Sequence, residues 1–353
     1  MTRRVVRGLC TLAVLTVAGC GGGESDSGKP GAGPGNDASG PKAVKFVGFD
    51  ASARIVEAIR DGELQGAVAQ NPLKMGYLGV AMMVDHLEKK PVEKRVSTGE
   101  TMLTPENIDS AEVAPLVNPP KVPHTQGATA GGETKKRRIM VIPKGTTHEF
   151  WQSIHAGALK AAEERGNVEV IWQGPLKEDE RGEQIKLVQD AVALGVDGIV
   201  LAPLDAKALV EPVEAAVAKG IPVVIFDSAL ESDKIVGMVS TDNYHGGVLG
   251  ARRLGELLKG EGRIILLRYA EGSESTMQRE KGFTDTIAKD FPKITYLSND
   301  QYGGATSDLA QQKSQSLVTR FRGQIDGVFC VNESNTLGML RALEGAGLVS
   351  RSR

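Results

Sequence analysis

The residues able to do chemistry in this chain follow directly on buried hydrophobic runs. Asp50 ends Val44–Phe49, Asp227 ends Pro222–Phe226, Asn332 ends Ile325–Val331, and Asp205 follows Gly198–Ala202. Gln70 closes Gly66–Ala69, and the polar stretch Lys144–Trp151 follows Ile139–Ile142. Carboxylates accept hydrogen bonds, arginine donates from a fixed fork, and asparagine and glutamine do both. Phe150 and Trp151 add flat apolar faces to a chain with only 4% aromatics. These types suit binding better than catalysis. No G-x-G-x-x-G follows Ile139–Ile142, where Gly145 stands alone, and Gly246-Gly247 has the wrong spacing for a dinucleotide turn. No serine occupies a G-x-S-x-G elbow. His148 and His155 lack the H-E-x-x-H spacing of a zinc hydrolase. No enzyme, cofactor or metal is expected.

The elements that must position these residues alternate regularly. Lys42–Pro72 reads as strand, helix, strand: Val44–Phe49, a helix capped by Ser52 and stopped at Gly62, then Gly66–Ala69. Pro72–Lys90 reads as a helix with Met75, Leu78 and Met82 on one face, and Val92–Thr104 as short strands. From Ile139 to Gly345 strands and helices alternate, which predicts βαβ crossovers and parallel sheets in an α/β fold. There are too many strands for one sheet, so two lobes are expected. The final helix, Asn335–Gly345, would next require a strand, and the strand at Val44 is the one with no helix before it. That hints at a rotated chain order.

The 353 residues are 41% hydrophobic and 24% charged with a formal charge of -2, which gives no reason to expect nucleic-acid binding. Arg3, Arg4 and Arg7 precede the short apolar run Leu9–Ala18, the pattern of an export leader and too short to span a bilayer comfortably. It ends Val17-Ala18-Gly19-Cys20, which resembles the lipobox of bacterial lipoproteins and implies lipidation at Cys20. The plainer alternative is an ordinary signal peptide that leaves Cys20 a free thiol. Gly21–Gly40 reads as a flexible tether, and Val117–Thr134, with Pro119, Pro120 and Pro123, as a linker. Cys330 lies in an apolar run and is expected in the core.

Together the stretches KGIPVVIFD (219–227), VSTDNYHGG (239–247), Arg279-x-x-Gly282-Phe283, DGVFCVNE (326–333), VGFD (47–50) and DGELQGAVAQNP (61–72) resemble the type I periplasmic sugar-binding proteins of the ribose-binding branch. The resemblance runs through residues 135–349 and then 42–116, so the order is circularly permuted. A true permutant and a mispredicted or chimeric gene both fit. The family implies two Rossmann-like lobes with parallel sheets and a three-crossing hinge, near Thr241–Asp242, Gln70–Asn71 and Thr98–Thr101. One lobe would comprise 42–70, 100–116 and 242–353, the other 71–99 and 135–241, with leader 1–20 and tether 21–41 outside both.

By resemblance, Phe150 and Trp151 would stack on a sugar ring, and Asp227, Arg279, Asn332, Asp50 and Gln70 would bond its hydroxyls. Phe49 would add a wall, and His148 stands before the aromatic pair. Asp205, Ser228 and Tyr302 are weaker candidates. Plainer readings stay open: Asp50 and Asp227 as caps of the next helix, Gln70 as a turn residue, Trp151 as helix core. Arg279 could be a solvated helix residue, Asp205 an N-cap, and Tyr302 a loop residue. Ala202, His148-Glu149, Ser228 and the absence of an aromatic near Ala305 depart from the ribose-type pattern. They point to a sugar, polyol or modified sugar other than ribose. The implied role is capture of that solute for an ABC transporter permease by a monomer anchored to the membrane by lipid. A receptor component for signalling or chemotaxis is the alternative.

Overall fold

The computed structural model describes residues 43–118 and 136–350. The expected leader, Cys20, the tether and nearly all of the linker lie outside the described residues. In chain order the first elements are β1 (Lys45–Phe49), α1 (Ala53–Arg60), β2 (Gly66–Gln70), α2 (Pro72–Leu87), β3 (Arg95–Ser97), β4 (Glu100–Leu103) and the short α3 (Ala114–Val117). There follow β5 (Arg137–Ile142), α4 (Glu149–Arg165), β6 (Val168–Trp172), α5 (Arg181–Leu194), β7 (Gly198–Leu201), α6 (Val210–Ala218), β8 (Val223–Phe226) and β9 (Gly237–Ser240). The last are α7 (Asn243–Leu257), β10 (Glu261–Leu267), α8 (Glu274–Asp290), β11 (Lys293–Ser298), α9 (Ser307–Arg320), β12 (Gly327–Cys330) and α10 (Glu333–Gly345).

The strands form two six-stranded sheets. One has the order β11-β10-β12-β1-β2-β4 and the other β6-β5-β7-β8-β9-β3. All pairs are parallel except β2 with β4. The near-continuous Val, Ile and Phe runs explain this, since central parallel strands bury both faces. Each sheet accordingly carries one apolar cluster on each side. Cys330 lies in one of them, fully buried, and burial pushes its thiol pKa well up.

β1 sits between β12 and β2, with Phe46 opposite Val328 and Val47 opposite Gly66. Val44 N–H donates to the Leu348 carbonyl at 2.9 Å. The first described residues therefore begin where the last described helix has just ended. If β1 is counted after β12, both sheets show the same strand order, 2-1-3-4-5-6.

The helices respect the expected spans with two local differences. α2 stops at Leu87, because Lys89 takes the left-handed region (φ 61°) and its N–H turns back to the His86 carbonyl. Ser52 precedes α1, but its hydroxyl makes no cap and has no partner.

Two helix pairs set the spacing near the strand ends. A Cβ on Gly76 of α2 would meet the Ile154 carbonyl at 2.0 Å, and one on Gly157 of α4 the Leu73 carbonyl at 1.9 Å. In the other half, Gly247 of α7 faces the Arg279 carbonyl and Gly282 of α8 the Tyr244 carbonyl, each at 2.0 Å. Only glycine allows backbones this close. Gly157→Ala should force α2 and α4 apart and cost about 1–3 kcal/mol, read as a fall in the denaturation midpoint; an unchanged midpoint would contradict the packing.

Candidate functional site

The chain passes from one sheet to the other at three places: β2 into α2, β3 into β4, and β9 into α7. Asn71 caps α2 by accepting from Lys74 N–H, and Asp242 caps α7 by accepting from His245 N–H. Thr241 donates its hydroxyl to Gln70 Oε1 at 2.8 Å, and Asp242 N–H donates to Glu100. The three passages are thus bonded to one another. The carboxyl ends of the strands in both sheets face the same crevice, where open parallel sheets place ligands.

Asp50 and Asp227 occupy equivalent places at the ends of β1 and β8. Both are left-handed, with φ of 72° and 62°, a conformation that aspartate tolerates better than most residues. Neither caps the helix that follows it. Asp50 Oδ2 accepts instead from Glu333 N–H, the first residue of α10, at 2.8 Å, and Oδ1 accepts from Gln70 Nε2 at 2.7 Å. Asp227 forms a buried ion pair with Lys144 at 2.8 Å. Lys144 also donates to the hydroxyls of Ser273 and Ser275, which belong to the other sheet's layer.

Arg279 is 2% exposed, so it is no solvated helix residue. Its Nε donates to Asn243 Oδ1, Nη1 to the Val331 carbonyl and Nη2 to Gln70 Oε1, all within 2.9 Å. The guanidinium lies 4.0 Å over the Phe49 ring. Phe49 is therefore the floor beneath Arg279 and lines neither of the two cavities described below, which corrects its expected role as a wall.

Glu178 gathers a second cluster. It accepts from Trp151 Nε1 at 2.6 Å, lies 2.7 Å from His148 Nδ1, and accepts from the Tyr269 hydroxyl across the crevice. Burial alone would raise its pKa, but the His148 charge and these bonds hold it down at about 2. Burial would depress His148, yet Glu178, with Glu333 and Asp50 beyond, raises it to about 9. Glu333 runs the other way, raised to about 7 by burial against the pull of His148. Burial likewise raises Asp50, against Arg279 and the Gln70 hydrogen bond.

Three helix starts are linked by caps across the crevice, α10 to α4 and α4 to α1. Glu333 accepts from Phe150 N–H at 3.3 Å, and Glu149 accepts from Ala53 N–H at 3.0 Å. Asn332 Nδ2 donates to the Ser334 hydroxyl, while its Oδ1 is buried with no partner. A buried amide oxygen without a donor costs free energy until one arrives.

A cavity of about 30 Å³ is enclosed by Asp50, Lys144, His148, Phe150, Trp151 and Glu178, and by Asp227, Tyr269, Thr276, Arg279, Asn332 and Glu333. A larger one of about 900 Å³ adjoins it, sharing Asp50, Phe150 and Glu333 and touching Gln70. Trp151 is 2% exposed and packs edge-on against Phe150 and Phe226, so its ring is core while Phe150 stays half-exposed. Three weaker candidates line neither cavity. Asp205 accepts from Lys207 and Ala208 N–H as a turn cap, Ser228 accepts from Ser275 N–H, and Tyr302 bridges to Arg268 in a loop.

Sequence reasoning missed Lys144, Glu178, Tyr269 and Glu333. Lys144 follows β5 almost as Asp227 follows β8, and Glu333 adjoins Asn332, so the strand-end rule, applied to every position there, would have found both. Glu178 stands in the charged run Lys177–Glu180, where nothing marks it as a side chain only 8% exposed. Among the described residues no group of three or more His, Cys, Asp or Glu could hold a metal ion.

A crevice between two like-ordered parallel sheets, crossed three times by the chain and lined from strand ends on both sides, defines a two-lobed ligand-capturing α/β protein. The periplasmic binding protein domain model matches residues 17–91 and 139–352, and the chain belongs to that family. A xylitol-binding protein of Mycolicibacterium smegmatis is 32% identical over 181 residues, 51% of each chain. A ribose import binding protein of Bacillus subtilis is 27% identical over 216 residues, 61% of this chain and 68% of its own. The chain thus spans about half the length of the first relative and two thirds of the second. The periplasmic component of an ABC-type sugar transport system from Hahella chejuensis matches with TM-score 0.57 and 34% identity, covering 60% of this chain and 76% of its own. An ABC transporter solute-binding protein from Agrobacterium vitis with bound D-fucose matches with TM-score 0.57 and 33% identity, covering 60% and 73%.

The raised His148 pKa has a stability consequence. Its contribution is complete below the ordinary value of 6.5 and is lost as pH rises through about 9. The melting temperature should fall over that interval, and Glu178→Gln should flatten the fall. Equal slopes in thermal melts of the two proteins would exclude the pairing.

Proposed function

We propose that the protein is an exported sugar- or polyol-binding component of an ABC importer, closing its crevice on the solute and presenting the closed form to the permease. The observation that carries this reading is the convergence of Asp50, Asp227, Arg279 and Asn332 from both sheets on one crevice beside Phe150. Hydroxyls both donate and accept, and the buried Asn332 Oδ1 needs a donor. A sugar's C–H face needs a flat partner, and Phe150 supplies it. The names of the relatives, which bind xylitol, ribose and D-fucose, support the same class. Ligand favours closure only by its extra affinity for the closed form; hinge closure in periplasmic binding proteins is a general precedent.

The division into lobes 42–70, 100–116 and 242–353 against 71–99 and 135–241 belongs to this reading. So do a lipid anchor at Cys20 and a monomeric state. Circular permutation is supported by three observations. The two sheets share one order only if β1 follows β12. Val44 bonds to Leu348. Solved relatives cover 60% of the chain, about the share held by its 139–352 segment. The fructose-binding periplasmic domain of a hybrid two-component system, with TM-score 0.56 and 27% identity, keeps a sensory role as the second reading.

Thermal shift with pentoses, hexoses and polyols tests the proposal. A ligand at 100 times its Kd should add about 2.7 kcal/mol, and small-angle scattering should show compaction. Asn332→Ala should weaken that ligand about 10- to 100-fold by calorimetry. No shift with any of them would sink the reading. A chain reopened within 119–135 and joined from Ser350 to Ala43 should bind the same ligand within about threefold, a difference under 1 kcal/mol; loss of folding would exclude the permutation.

A further inference from the structure

The crevice holds four carboxylates, Asp50, Glu178, Asp227 and Glu333, against three cations, Lys144, His148 and Arg279. The cations are committed. Lys144 spends three donors on Asp227, Ser273 and Ser275. Arg279 is fixed by Asn243, Val331 and Gln70, and His148 Nδ1 by Glu178. Glu333 has no ion-pair partner among the described residues; it accepts only from Phe150 N–H. Asp50 bonds only to Gln70 and to Glu333 N–H. These two carboxylates and Asn332 Oδ1, 7% exposed as a residue and unpartnered, line one side of the cavity. That corner offers acceptors and an uncompensated negative charge. A neutral hydroxyl would satisfy one acceptor and leave the charge buried, which is costly.

Resting on the sugar-binding reading, we propose that the physiological ligand carries an ammonium: it is an amino sugar or amino polyol whose –NH₃⁺ enters the corner made by Asp50, Asn332 and Glu333. An ammonium has three donors and no acceptor, which matches three acceptors from three side chains. The charged groups facing Glu333 are Asp50, His148 and Glu149. His148 is bonded to Glu178 and supplies only a distant counter-charge. Burial raises both carboxylates, outweighing the pull of Arg279 on Asp50 and of His148 on Glu333.

The test uses matched pairs that differ by one amine for one hydroxyl: 1-amino-1-deoxyxylitol against xylitol, and D-glucosamine against D-glucose. Calorimetry near neutral pH on the full chain reads each affinity. At least one amine should bind about tenfold or more tighter than its neutral partner, as for desolvated charge pairs. Glu333→Gln keeps the acceptor for Phe150 N–H and removes the charge. It should erase most of the amine's advantage over its neutral partner, with melting confirming that the variant is folded. Neutral members binding as well as or better than their amines would overturn the ammonium while leaving the sugar-binding reading intact. An amine advantage unchanged in Glu333→Gln would overturn the assigned corner. No binding by any of these compounds, or by the wider sugar panel, would overturn both.

Discussion

The buried guanidinium of Arg279 is the constraint on which the rest of the crevice depends. A charge at 2% exposure survives only with its donors used, and three separate segments supply the acceptors. Asn243 opens α7, Val331 follows β12, and Gln70 ends β2 at a passage between sheets. The Phe49 ring lies underneath. Arg279 reaches these partners because Gly282 lets α8 settle onto α7. Gln70 in turn holds Asp50 and Thr241, so the arginine's position passes through one amide to a crevice carboxylate and to a second passage between the sheets.

Much of this was legible in sequence. Alternating runs such as Ile139–Ile142 and Pro222–Phe226 specify parallel strands because few other patterns bury both faces, and polar residues at their ends must then face a crevice. That logic located Asp50, Asp227 and Asn332. It failed where role depends on contacts between distant segments. Phe49 looked like a wall and is a floor, because the partner that covers it lies 230 residues later at Arg279. Glu178 drew no notice within its charged run and is a hub, because Tyr269 closes over it from the other sheet. The cation beside Asp227 comes from Lys144 on a neighbouring strand end, a pairing that no local pattern reports.

The two halves also show how one architecture is used twice. Each sheet keeps a left-handed aspartate after its fourth strand, and each passage helix packs through a pair of glycines against the first helix of the other half. The likeness stops at the chemistry of the crevice. One side brings Phe150 and Trp151 together with the Lys144–Asp227 and His148–Glu178 pairs; the other brings Asn332, Glu333 and Arg279. Aromatic rings set among charges suit a molecule with both C–H faces and polar edges.

The helix caps that cross the crevice bear on timing. Glu333 serves Phe150 N–H and Glu149 serves Ala53 N–H only while the sheets are close, so parting them strips two helix starts at once. That penalty falls on opening, so substitutions at Glu149 should shorten the residence time of a captured molecule.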